Sequence, residues 1–104
     1  MLPAASVQVV GDLSRMIRRM AVACGAAGEY LVDSIRSNAD LFLTGEMRFH
    51  DALRARESGV SVILPGHYAT ERPGIEELAA KLAGDWPGVV AWASRVERDP
   101  FAGV

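Results

Sequence analysis

The chain is 104 residues long and half hydrophobic, with a formal net charge of −2. That is enough for one compact domain spanning residues 1–104 and no more. The faintly acidic balance gives no electrostatic reason to expect a nucleic-acid partner, and no apolar stretch approaches the ~20 residues needed to span a bilayer. Arg15, Arg18 and Arg19 cluster, but Asp12 sits beside them and Glu29 follows, which reads as a solvated face. A single cysteine, Cys24, excludes an internal disulfide and suits a reducing cytoplasm. The opening residues MLPAASVQ lack the charged region of a secretory signal, so a cytoplasmic protein is expected.

In chain order, Ser6–Val10 is a short β-branched run that ends at the turn pair Gly11-Asp12. Met20–Cys24 is a second apolar run, closed by Gly25, and its position at a strand end predicts a packed Cys24 thiol. From Gly28 to Asn38 the spacing of Tyr30, Leu31, Ser34 and Ile35 is helical, with Asn38 as C-terminal cap. Leu41–Leu43 is a third strand, cut by Thr44-Gly45. A second helix carries Phe49 and Leu53 and stops at Gly59. Val60–Leu64 is a fourth strand closed by Pro65-Gly66. Thr70 is placed to cap a third helix with the stripe Ile75, Leu78, Ala79 and Leu82, its first turn tolerating Pro73. Asp85-Trp86-Pro87-Gly88 ends that helix, and Val89–Ala93 reads as a last strand.

Alternation of strand and helix, with strands apolar on both faces, predicts an α/β domain: a largely parallel, mixed sheet of four to five strands flanked by three helices. The first strand is free to pair antiparallel, because its link to the second is too short for a packed crossover helix. Ligands of an open parallel sheet collect beyond the carboxyl ends of its strands. Three polar turns leave strands at that edge: CGAAGE, LTGEMRFH and PGHYATE.

In the first turn, Gly25 and Gly28 would let main-chain amides approach an anionic cofactor group at a helix N-terminus. No lysine follows to meet a phosphate, and a plain strand-to-helix turn is the preferred reading. In the second, Glu46 and His50 are four apart in the opening turns of a helix, so both project along one side. Glu46 can act as acid or base or hold a water, and His50 can add a ligand or act as a proton shuttle. The alternative is that Glu46 complements the helix dipole and pairs with an exposed His50. In the third, His67 and Glu71 can converge on one metal ion, or Glu71 can serve the helix dipole beside Thr70 with nothing bound.

The blocks V-A-V-A-C-G-A-A-G, A-D-L-F-L-T-G-E-x-x-x-H-D-A-L, G-V-S-V-I-L-P-G-H-Y-A-T-E and a final D-P-F occur in that order from about Ser6 to Phe101. Together they resemble the NIF-three-like proteins, also called GTP cyclohydrolase 1 type 2 homologs or dinuclear-metal-centre proteins. The resemblance implies a toroidal homo-oligomer and a pair of divalent ions (zinc, iron, manganese or nickel) per complete site. His67 and Glu71 match two of the ligands, and Glu46 and His50 match residues near the site. It further implies metal-assisted hydrolysis of a small nucleotide-like substrate. Family members are about twice as long or more, and their first half supplies adjacent histidines and an aspartate. This chain has two histidines, His50 and His67, so it resembles the C-terminal half alone and carries half a site. Docking to an N-terminal half-domain chain, or self-association, would complete it. The rival expectation is a non-catalytic oligomerisation or interaction module that keeps the fold.

Overall fold

The computed structural model describes residues 7–102. Its sheet contains β1 (Gln8–Val10), β2 (Met20–Ala26), β3 (Leu41–Glu46) and β4 (Ser61–Leu64), in the order β1-β4-β3-β2. The three longer strands run parallel, and β1 joins β4 antiparallel, as the short Gly11–Arg19 link requires. Ser6, the expected start of the first strand, lies outside the described residues.

Three helices flank the sheet: α1 (Leu31–Arg36), entered through a 3₁₀ turn at Gly28–Tyr30, α2 (Phe49–Ser58) and α3 (His67–Asp85). Asn38 takes a left-handed conformation just past α1, and Gly59 does the same after α2, where its amide reaches the carbonyl of Arg56. The strands meet in register, with Val10, Val62, Phe42 and Ala21 forming one row across all four. On that side lies the core of Leu31, Phe42, Ala55, Val60, Val62 and Leu64. The loop before β2 is tied to the start of β3 through Asp40, whose carboxylate accepts the main-chain N–H groups of Arg18 and Arg19.

Four expectations change. Val89–Ala93 forms no strand and runs as irregular chain beside α3. Cys24 is exposed rather than packed, because its position in β2 alternates with the half-buried Ala23. Thr70 is buried within α3, which starts three residues earlier, so it caps nothing by position. Pro73 consequently lies in the helix interior, where it cannot donate to the Ala69 carbonyl. Among the described residues, no helix is long and apolar enough to cross a membrane.

Candidate functional site

Parallel pairing brings the carboxyl ends of β2, β3 and β4 to one rim, and a bulge shapes it. Ala23 pairs with Thr44 and Ala26 with Glu46, so three steps along β2 match two along β3. Gly25 lies in that bulge with φ +72°, a conformation glycine adopts without penalty. Its carbonyl accepts from the Thr44 hydroxyl (3.2 Å), and its N–H donates to Thr70 Oγ1 (2.9 Å). The Thr70 hydroxyl gives its own proton to the carbonyl of His67 (3.0 Å) or of Gly66 (3.2 Å). Thr44 and Thr70 are both buried, so these bonds act in a medium where an unpaired group would be expensive. Gly45 completes the junction: a Cβ there would lie 2.6 Å from the Gly25 carbonyl oxygen and 2.8 Å from Thr70 Oγ1.

On this junction stands His67, the first residue of α3. Its Nδ1 lies 2.7 Å from Glu46 Oε1, and its Nε2 lies 3.1 Å from Glu71 Oε1. All three side chains are about half exposed. The hydrogen bond to Glu46 raises the imidazole pKa above its usual value. Partial desolvation works against this, and the negative charge of Glu71 adds to it. A Cβ at Gly25 would fall 2.7 Å from Glu71 Oε1 and 3.1 Å from His67 Nε2, so the glycine keeps open the space beside the pair.

Glu46, His67 and Glu71 are therefore together, although 25 residues separate the first from the last. His50 is apart from them: it is exposed in the first turn of α2 and stacks edge-on to Phe49, ring centres 6.0 Å apart. Glu46 ends a strand rather than opening a helix, which removes the shared helical side on which its pairing with His50 depended. The Gly25 amide is engaged by Thr70 and offers nothing to an anion. Gly28 instead permits close approach between the 3₁₀ turn and α2, since a Cβ there would meet Asp51 Oδ2 at 2.8 Å.

Two clefts flank Glu46. The larger, about 590 Å³, also takes in Glu29, Arg48 and Asp51, and the smaller, about 260 Å³, takes in His67, Asp99 and Phe101. Sequence reasoning singled out neither Thr70 nor Arg48 and Asp51 for the site. Thr70 carries a signal as part of the GHYATE block, but its sequence position suggests a helix cap and the structure buries it inside α3. The D-P-F motif returns to the same rim through Asp99 and Phe101.

A tetrahedral metal ion bound by a nitrogen and an oxygen at ~2.0–2.2 Å holds those two atoms roughly 3.3–3.6 Å apart. The 3.1 Å between His67 Nε2 and Glu71 Oε1 is a hydrogen-bond distance slightly shorter than that, and the space that Gly25 leaves lets the two side chains part enough to serve as ligands. Among the described residues no group of three or more His, Cys, Asp or Glu side chains is arranged to hold an ion, so the fit is that of an incomplete set.

The four-stranded mixed sheet flanked by three helices defines an α/β protein. The family model for Duf34/NIF3 (NGG1p interacting factor 3) matches residues 1–100, and the chain belongs to that family. A Bacillus subtilis (strain 168) relative named GTP cyclohydrolase 1 type 2 homolog is 33% identical over 98 residues, covering 91% of this chain and 26% of its own length. A Treponema pallidum relative of the same name is 44% identical over 69 residues, covering 66% and 24%. The crystal structure of Staphylococcus aureus protein SA1388 superposes with a TM-score of 0.78 at 30% identity, over 99% of this chain and 30% of that one. That of a Bacillus cereus protein related to NIF3 gives 0.78 at 29%, over 97% and 29%. The chain thus spans about a quarter of the length of these curated relatives, a smaller share than the half implied by the sequence resemblance.

Proposed function

We propose that this chain supplies part of a divalent-metal site in a hydrolase-like protein, with His67 Nε2 and Glu71 as ligands. One observation carries the reading: both ring nitrogens of His67 face carboxylate oxygens. When Nδ1–H donates to Glu46, the neutral ring directs its Nε2 lone pair at Glu71. Two electron-rich atoms 3.1 Å apart repel unless a proton or a cation lies between them. A cation in that place makes Glu46 the carboxylate that orients a metal-bound histidine. The second oxygen of Glu46 remains available to take a proton from water, while among the described residues His50 hydrogen-bonds to none of the three side chains. A bound divalent ion would lower the pKa of a coordinated water and polarise the bond under attack.

Two ligands hold metal weakly, so a further segment or chain is needed to complete a dinuclear site. The relatives' name, GTP cyclohydrolase 1 type 2 homolog, supports a small nucleotide-like substrate, for which the clefts beside Glu46 offer room. The single exposed thiol of Cys24 suits the cytoplasm. Titration with zinc, manganese, iron(II) or nickel by calorimetry tests the reading. At least one ion should bind the wild type and lose tenfold or more affinity in His67→Ala and Glu71→Gln, while Glu46→Gln loses 10–100-fold. Equal, negligible binding by wild type and His67→Ala sinks it. A second reading, an assembly module without catalysis, is favoured by the exposure of Ile75, Leu78 and Leu82 along α3, and that negative result would leave it standing.

A further inference from the structure

Among the apolar side chains that the fold leaves exposed, one borders the candidate site. Phe101 is 80% exposed and lines the smaller cleft together with Glu46 and His67. The exposed Ile75, Leu78 and Leu82 of α3 line a separate groove. A phenyl ring left so open to water adds little to the core, so burial does not account for its place. It is held there all the same. Its N–H donates to Asp99 Oδ1 (3.0 Å), closing a side-chain turn. Arg72, the residue after Glu71, donates to Glu97 (2.7 Å) and to the Ser94 carbonyl (2.8 Å), and its side chain is only 13% exposed. The segment that leads to Phe101 is thus tied to the helix that carries His67 and Glu71.

The cleft has room for part of a ligand. Its volume, about 260 Å³, falls below the ~300–1,000 Å³ of pockets that enclose a whole small molecule. Leu64 and Phe101 give it apolar surface, and Gln8 and Asp99 give it polar groups. Gly45 and Gly66 add bare main chain, joined by a hydrogen bond from the Gly66 N–H to the Gly45 carbonyl (2.9 Å). A Cβ at Gly66 would meet nothing within 4 Å, which leaves that stretch open to a flat group. Among the described residues no Lys or Arg lines the cleft, while Glu46 and Asp99 do. Such a lining repels a phosphate and admits a neutral ring with polar edges.

We propose that this cleft is a nucleobase subsite, with Phe101 as the residue that stacks on the ring and sets a preference for nucleotides over bare sugar phosphates. The inference rests on the proposed nucleotide-like substrate and assigns where its ring sits. Every nucleobase offers a π-face to the phenyl ring and an edge of donors and acceptors to Gln8 and Asp99. A sugar phosphate offers no flat face, and its charge would meet two carboxylates.

Titration of the metal-free chain with guanosine monophosphate, followed by amide NMR, tests it, with ribose phosphate as the ring-free control. The nucleotide should shift the Gly66, His67 and Phe101 amides at millimolar concentration, and ribose phosphate should leave them in place. Phe101→Leu keeps an apolar side chain but removes the ring face. The exposure of the residue lets this variant fold as the wild type does, and nucleotide binding should weaken about 5–100-fold. Phe101→Trp, with a larger face, should retain binding. Equal nucleotide affinity of wild type and Phe101→Leu overturns the inference, as does an equal response to ribose phosphate. Shifts confined to the larger cleft, at Glu29 and Arg48, would keep a nucleotide-like substrate and overturn this placement of its ring. A silent nucleotide titration beside metal binding that His67→Ala abolishes would remove the subsite and keep the metal site.

Discussion

Gly25 is the residue at which backbone geometry and candidate site meet. Its positive φ fits the bulge, and its missing side chain leaves the space beside His67 and Glu71. Gly25→Ala places a methyl 2.7 Å from Glu71 Oε1 in a backbone conformation that alanine resists. It should destabilise the fold by about 1–3 kcal/mol in urea unfolding and push the Glu71 carboxylate away from the imidazole. Stability equal to wild type would contradict this account of the bulge. Thr70→Val keeps the shape but leaves the buried Gly25 N–H without an acceptor. The expected loss is about 1–3 kcal/mol by the same measurement, and Thr70→Ser, which restores the hydroxyl, should recover most of it.

At the scale of elements, Asp40 joins the loop before β2 to the start of β3. Main-chain hydrogen bonds from Arg18 and Arg19 hold its carboxyl below the usual value; slight desolvation opposes them and the charge of Arg15 assists. A carboxyl whose folded pKa is depressed contributes stability above its unfolded value, near 3.9, and loses it as pH falls through the lower folded one. Stability should therefore decline from about pH 5 downward. Asp40→Asn should flatten that acid limb in urea titrations between pH 3 and 6, and an unaltered limb would remove Asp40 from the explanation. The parallel core of β2, β3 and β4 was legible because continuous apolar runs bounded by Gly and Pro leave few other assignments. The antiparallel β1 was legible from the length of one link. Val89–Ala93 was read as a strand from composition, yet a strand is completed by a partner, and one sequence does not say where the partner is. The nearness of His67 and Glu71 was readable from their spacing within four residues. The Glu46 contact was not, because a sheet register brings together residues 21 positions apart.

At the scale of the whole molecule, the packing is uneven. A compact chain of this length has a radius of gyration of ~13 Å, whereas here it is 16.0 Å, with extents of 52 × 34 × 24 Å. The excess comes from α3, which buries only Ala69 and Thr70 of its 19 residues, and from the chain after it. The core sits between β3, β4 and the helices α1 and α2, with Phe42 and Val62 almost wholly enclosed. Phe42→Ala should cost about 3–5 kcal/mol, a large part of the roughly 5–15 kcal/mol that folded domains possess. Hydrogen exchange should show the same unevenness. Amides of β3, β4 and the second half of α2 open only with global unfolding, while those of residues 75–85 open locally and exchange much faster. Their helical bonds are solvent-exposed, and little apolar surface holds them to the sheet. Exchange followed by mass spectrometry at micromolar and at nanomolar concentration separates the two ends. Protection in β3 and β4 should be independent of concentration. If residues 75–85 proved as protected as β3 at the lowest concentration, α3 would be part of the folded core of a single copy, and this division of the molecule would be wrong.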